Sequence, residues 1–242
     1  MTEPAAAPAK SGAETYSSAM ASAYRYMDWV LSPFKPYLRG NIVEVGIGHA
    51  SYFEAIRPYG NYVGIDIDER SVAEARTRFP AARFERADIL QPGFLATLFP
   101  AGADGILSLN VLEHIEDDAR AVRNMVEALK PGGYLMVNVP ALMPLYNDMD
   151  RLAGHCRRYH LADLERLLAP LPVKVEKLRY FNPIGGLGWW ANKFRRHDSL
   201  NSDAVNGQIV IFEKYVLPFS RALDPLTRGF FGQSLVCAAR RV

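Results

Sequence analysis

Two groups of residues in this 242-residue chain have the types and spacing to do chemistry. The first is acidic and glycine-rich: Glu44, Gly46, Gly48, Asp66 and Asp88. Gly46 and Gly48 let a backbone turn tightly and approach a ligand closely. Asp66 stands twenty residues beyond Gly46, where an acid can accept hydrogen bonds from ribose hydroxyls. Asp88 could accept a bond from an adenine amino group. The second group is Asp148, Asp150, His155, Arg157, Arg158 and Tyr159, with His114 upstream. His155 or His114 could take a proton from an acceptor. The arginine pair could grip a carboxylate or phosphate, or brace the loop through Asp148 or Asp150. These spacings match no zinc pattern, so no metal is expected.

The elements that must position these residues alternate. Strands are predicted over 41–45, 62–65, 83–87, 105–109 and 134–139, and helices over 51–57, 71–79 and 117–129. Ser71 is a plausible cap for the second helix and Pro80 its stop; Pro131-Gly132-Gly133 ends the third. Such alternation implies parallel βαβ units, an open sheet, and helices on both faces. The key polar residues then fall at the carboxyl ends of strands, where ligands bind in such sheets. The rhythm changes after the fifth strand. Residues 141–160 read as polar and irregular, 161–168 as a short helix, 173–181 and 234–240 as further strands. The long piece 182–231 reads as a cap, the natural place for substrate choice. Aromatic residues at helical spacing, including Tyr24, Tyr26, Trp29, Phe34 and Tyr37, place one or two helices ahead of the sheet.

A dinucleotide would use a similar layout. Its fingerprint, however, wants a third Gly or Ala three residues past the second glycine, and Ser51 stands there. Glu44 would repel a pyrophosphate and attract a cationic ligand. At this point the chain resembles the class I S-adenosylmethionine-dependent methyltransferases. Val43-Glu44-Val45-Gly46-Ile47-Gly48 is similar to their first motif, and Gly64-Ile65-Asp66-Ile67 to the second. Arg86-Ala87-Asp88-Ile89 is similar to the third, Leu109-Asn110-Val111-Leu112-Glu113-His114-Ile115 to the fourth, and Leu129-Lys130-Pro131-Gly132-Gly133-Tyr134-Leu135 to the fifth. The resemblance covers about residues 41–140. It implies S-adenosylmethionine as cofactor, with Glu44, Gly46 and Gly48 at the methionine part and Asp66 at the ribose. Asp88, Ile67 and Ile89 would surround adenine, and Asn110 would line the cofactor. His49 stands where a small polar residue is common and would touch the cofactor. Ala50 replaces a usual third glycine. The implied fold is α/β: a doubly wound, mostly parallel seven-stranded sheet with an antiparallel last strand and an inserted cap.

Gly154 to Tyr159, Tyr180-Phe181-Asn182-Pro183, the Gly185 to Trp190 run and Gly232-Gln233-Ser234-Leu235 resemble a bacterial subgroup of that family. Its members often accompany glycosyltransferases, which implies a small-molecule or sugar-containing acceptor. Methyl transfer to oxygen or nitrogen needs chiefly in-line positioning. His155 and His114 are the candidate bases. Asp150, Arg157, Arg158, Tyr159, Trp189 and Trp190 are the candidate acceptor-binding residues.

The division expected is a tail over 1–15 and one domain over 16–242. Within it, 16–40 are leading helices, 41–140 the cofactor core, and 141–160 with 182–231 the cap insertions. Net charge is +2 with 28 basic and 26 acidic residues, so no nucleic-acid partner is expected. No Asn/Asp-Pro-Pro-aromatic motif follows the fourth strand. Two unpaired-looking cysteines, Cys156 and Cys237, suit a reducing compartment and a cytoplasmic location. The first dozen residues lack a signal-peptide pattern, and no stretch reaches the roughly 18 apolar residues of a membrane span. Trp189, Trp190, Phe194, Ile209, Ile211, Phe212, Tyr215, Val216, Leu217 and Phe219 make the cap apolar. That leaves a core beneath it, an acceptor pocket, a homodimer contact or a peripheral membrane contact open. The alternatives to methyl transfer are a nicotinamide-dependent oxidoreductase and a non-catalytic S-adenosylmethionine-binding protein.

Overall fold

Seven strands form one sheet in the order β3-β2-β1-β4-β5-β7-β6. They are β1 (Gly40–Val45), β2 (Gly60–Asp66), β3 (Arg83–Arg86), β4 (Ala103–Leu109), β5 (Leu129–Pro140), β6 (Val173–Phe181) and β7 (Ser234–Arg241). The computed structural model describes residues 18–242, so the tail expected over 1–15 lies outside the described residues. β1 pairs in parallel with β2 and β4, β2 with β3, and β4 with β5. β7 runs antiparallel between β5 and β6. The expected α/β sheet with an antiparallel last strand is what the chain forms.

The sheet is buried on both faces because side chains alternate along a strand. In β4, Ile106 faces one core and Leu107 the other; in β5, Leu135 and Val137 face the first and Met136 the second. β7 repeats this with Leu235 and Cys237 against Val236. Continuous apolar runs are the consequence, as parallel sheets covered on both faces require.

Helices α1 (Tyr24–Leu31), α2 (Phe53–Ile56), α3 (Glu69–Arg78), α4 (Phe94–Leu98) and α5 (Asp118–Ala128) accompany the first strands. α5 packs Ala121, Val122 and Met125 on the first face, while Trp29 and Leu31 of α1 pack on the second. α3 begins two residues before Ser71. Its cap is Asp68, which accepts from the Arg70 amide, and the Ser71 hydroxyl donates to Asp68 at 3.0 Å. Asp117 caps α5 in the same manner. β5 starts at Leu129 and runs through Pro131-Gly132-Gly133, which had been expected to separate helix from strand. Gly132 takes φ +81°, and the register with β4 shifts there.

The segment expected to be irregular after β5 contains α6 (Asp148–Ala153), started by a capping box between Asn147 and Asp150 and ended at Gly154 with φ +79°. α7 (Leu161–Leu168) follows as expected. The cap is helical: α8 (Pro183–Asn192), α9 (Asp203–Ile211) and α10 (Leu217–Thr227), with a π segment Phe212–Val216 joining the last two. Polar ties fasten it. Glu213 accepts from the backbone amides of Arg25 and Tyr26 at 2.8 and 2.9 Å, supplying α1 with the N-terminal acceptors its own sequence lacks. Asp224, buried, accepts from Arg179 at 2.6 Å and from the Asn182 amide at 2.9 Å.

Candidate active site

The turn after β1 is shaped by three left-handed residues, Gly46 (φ +72°), Gly48 (φ +48°) and Ala50 (φ +51°). A Cβ at Gly46 would lie 2.3 Å from a Val111 methyl, so the loop after β4 also demands glycine there. The Gly48 amide donates to Asp66 Oδ2 at 2.9 Å, and the Asp68 amide donates to Oδ1 at 2.9 Å. The carboxylate at the end of β2 is thereby fixed beside the turn. Burial raises its pKa above the ordinary aspartate value, against the bonds from Asp68 and Gly48. Next to it Ile67 leaves its side chain 62 % exposed, an apolar wall of the kind that a purine face would cover. Asp88, half-buried beyond β3, accepts from the Leu90 amide at 2.8 Å, and Ile89 is buried. Asn110 follows β4 with φ +54°, a conformation asparagine tolerates better than most residues.

Pinned acid, bare apolar side chain and tight glycine turn fit an adenosyl ligand lying across β1, β2 and β3. Glu44 stands in β1, two residues before Gly46. It is buried, and Tyr62 donates to it at 2.5 Å. Burial pushes its pKa up to about 7 despite that bond. His49 is exposed, with Nδ1 3.7 Å from Glu74 of α3.

Beyond β4 and β5 opens a cavity of about 700 Å³, lined among others by Asn110, Glu113, His114, Pro140, His155, Arg158 and Trp189. The cap supplies its apolar side through Ile184, Leu187, Ile209, Phe212 and Val216. At its polar end Asp150, wholly buried, organises four donors. Oδ1 accepts from His155 Nδ1 at 2.8 Å and Arg158 Nε at 2.9 Å; Oδ2 accepts from Trp189 Nε1 and the Asn147 amide, each at 3.0 Å. Burial alone would raise the Asp150 pKa, but the His155 bond and the Arg158 charge hold it below the ordinary value. With Nδ1 held by Asp150, His155 turns Nε2 toward Glu113, 3.9 Å away. Cys156 donates its amide to the Glu113 carbonyl at 2.7 Å, which brings the two segments together. His114 packs edge-on to His155 with ring centroids 4.8 Å apart. Burial, helped by His155, lowers the His114 pKa to about 4, so its ring is neutral at pH 7.

The structure therefore gathers Asp150, His155, Arg158 and Trp189 into one cluster, with the Arg158 guanidinium 4.9 Å from the Trp189 ring centre. Three expected acceptor residues lie elsewhere. Arg157 donates to Asp118 at 2.8 Å and to the Glu116 carbonyl. Tyr159 is buried and donates to Asp118 at 2.8 Å, and with Arg157 it lines a separate cavity beside Asp118. Trp190 is half exposed and packs against Phe194 on the outside of the cap. Asp148 pairs with Arg151 and not with the arginines of the loop. The sequence reading assigned Glu113 no role. Its signal was a charge set inside an apolar run, Leu112 to Ile115, which places it out of water.

Residues 43–135 match the family model described as a methyltransferase domain. A relative from Mycolicibacterium smegmatis, "Probable S-adenosylmethionine-dependent methyltransferase", is 29 % identical over 140 residues, 56 % of this chain and 52 % of that protein. The chain thus spans about half the length of this relative. A ubiquinone biosynthesis O-methyltransferase from Ralstonia nicotianae is 29 % identical over 66 % of this chain and 74 % of that protein. Among solved structures, a SAM-dependent methyltransferase from Archaeoglobus fulgidus superposes with a TM-score of 0.59 at 18 % identity, covering 93 % of this chain and 95 % of that one. The strand order and the pinned acid beyond the glycine turn agree with the matched stretch, and residues 43–135 carry a methyltransferase domain similar to those of class I S-adenosylmethionine-dependent enzymes.

Proposed function

We propose that this protein transfers a methyl group from S-adenosylmethionine to an oxygen or nitrogen of a small-molecule or sugar-containing acceptor seated beneath the cap. The observation that carries this reading is the cavity itself. It reaches from Asn110 and Pro140, at the ends of β4 and β5, to a histidine held by a buried carboxylate. Gly46, Gly48, Asp66, Ile67, Asp88, Ile89 and Asn110 are the residues that would hold the cofactor. When bound there it supplies a methyl carbon already activated by positive sulfur. What remains for the chain is to align the acceptor with that carbon and to exclude water.

His155 is the residue placed to take an acceptor proton. Asp150 fixes its tautomer and would stabilise its charged form, while Arg158 keeps Asp150 ionised. The apolar cap wall favours an acceptor with an apolar portion beside the reacting group. The relatives support the reading at the level of their printed names, one of which is an O-methyltransferase.

Calorimetric titration with S-adenosylmethionine and its demethylated product tests the cofactor half. Asp66→Ala should weaken binding about tenfold, on the order of 1.4 kcal/mol. No binding to the unaltered protein at millimolar ligand would overturn the reading. Acceptor screening then starts with nucleotide sugars and hydroxylated metabolites.

A further inference from the structure

Glu113 is fully buried, and neither of its carboxylate oxygens has a hydrogen-bond partner among the described residues. A bare carboxylate out of water is costly unless a cation meets it. Two imidazoles stand beside it, and together Glu113, His114 and His155 offer three ligand atoms within 4.8 Å of one another. We propose that these three residues form a site for a divalent transition-metal ion, and that Zn²⁺ is the ion their donor set suits best.

Two histidines and one glutamate make a set that holds zinc and leaves a further position open. The outer contacts point the same way. A metal-bound histidine usually bonds its other ring nitrogen to a carboxylate or a backbone carbonyl. His155 bonds Asp150 through Nδ1, which frees Nε2 to face Glu113. His114 hydrogen-bonds the backbone at Gly154 in the same manner. Tetrahedral ligands about 2.1 Å from zinc lie roughly 3.4 Å apart. The 3.9 Å between His155 Nε2 and Glu113 Oε1 therefore needs only a small closing movement. All three residues line the cavity, so the open position faces the space where an acceptor would sit. The ligands come from two segments of the chain joined through the Cys156 amide, which is why no spacing motif announces them.

The site stands on this geometry and is independent of which acceptor is used. When occupied, His155 Nε2 is a ligand and not a base, and an acceptor hydroxyl entering the open position would be acidified by the ion. The test reads binding and not turnover. The full chain, stripped with chelator, is titrated with Co²⁺ and followed by visible absorption, then challenged with Zn²⁺. The expected result is one equivalent of Co²⁺ with visible bands of low-symmetry coordination, displaced by Zn²⁺. Glu113→Gln, His114→Gln and His155→Gln should each weaken binding by about tenfold or more, while His160→Asn, outside the cluster, should not. Circular dichroism establishes that each variant is folded, and the three replacements are independent, so loss of one to misfolding leaves two. Unaltered protein that binds Co²⁺ only in the millimolar range, or folded variants that bind as well as the unaltered chain, would overturn the proposal.

Discussion

Asp150 and Glu113 are both wholly buried carboxylates, yet their surroundings treat them oppositely. Asp150 has four donors and is held ionised; among the described residues Glu113 has no hydrogen-bond donor, and burial pushes its pKa up to about 7, with His155 only partly offsetting this. Two predictions follow from that contrast. His155→Asn should lower kcat by about 10² to 10⁴-fold when a proton must leave the acceptor, with cofactor affinity unchanged; steady-state kinetics and calorimetry separate the two. Glu113 binds a proton more tightly folded than unfolded, so its penalty is absent below the unfolded value of 4.5 and complete above about 7. Glu113→Gln should therefore gain stability relative to the unaltered, metal-stripped protein as pH rises from 5 to 8. The gain is bounded by roughly 3 kcal/mol for a shift of this size. Melting both proteins across that range checks it, and a difference that stays flat with pH would contradict the buried, unpaired state.

At the scale of elements, the chain places its helix starts by short polar side chains, and these were only partly legible. Ser71 was the expected cap of α3, but Asp68 reaches the first free amide and the Ser71 hydroxyl serves that carboxylate instead. α6 was missed because its start signal, Asn147 with Asp150, lies in a polar stretch without apolar periodicity. α1 borrows its acceptors from Glu213, far along the chain. Glu213→Ala should cost about 1 to 2 kcal/mol, the range for losing a helix cap, seen as a lower Tm and as faster amide exchange over Tyr24–Leu31. Gly60 offers a second check. A Cβ there would sit 1.9 Å from the Gly40 carbonyl, so Gly60→Ala should disrupt the β1–β2 edge and weaken cofactor binding together with stability.

The whole molecule divides into a stiff sheet and a helical cap fastened by polar ties such as those of Glu213, Asp224 and Trp189. β4, β5 and β7 are buried on both faces, whereas the cap leaves Phe194, Ile211, Tyr215, Phe219, Leu226 and Phe230 exposed. Among the described residues no helix is long and apolar enough to cross a membrane. Opening free energy should follow this division. Hydrogen exchange should be slowest in β4, β5 and β7 and faster over residues 183–231. S-adenosylmethionine should protect the turn after β1 and Ile67, and an acceptor should protect the cap. Cap amides that exchange as slowly as those of β5 would show that the two form one cooperative unit.

The sequence by itself determined the sheet and its cofactor end. Short continuous apolar runs, glycines at a strand end and acids at the next two strand ends are local signals, and the sheet converts each into a position without further information. The same logic put Asp66 at the carboxyl end of β2 and Asp88 just beyond that of β3. It could not choose among Arg157, Arg158 and Tyr159, three neighbours whose side chains turn to different partners: Asp118 takes the first and third, Asp150 the second. Only the tertiary structure brought His155 against Glu113 and His114, because that contact depends on where α6 ends and on one backbone bond from Cys156. Burial is likewise a property of the whole fold. Among the described residues it left the Glu113 carboxylate without a hydrogen bond and closed Glu44 in against Tyr62, which no spacing along the chain could report.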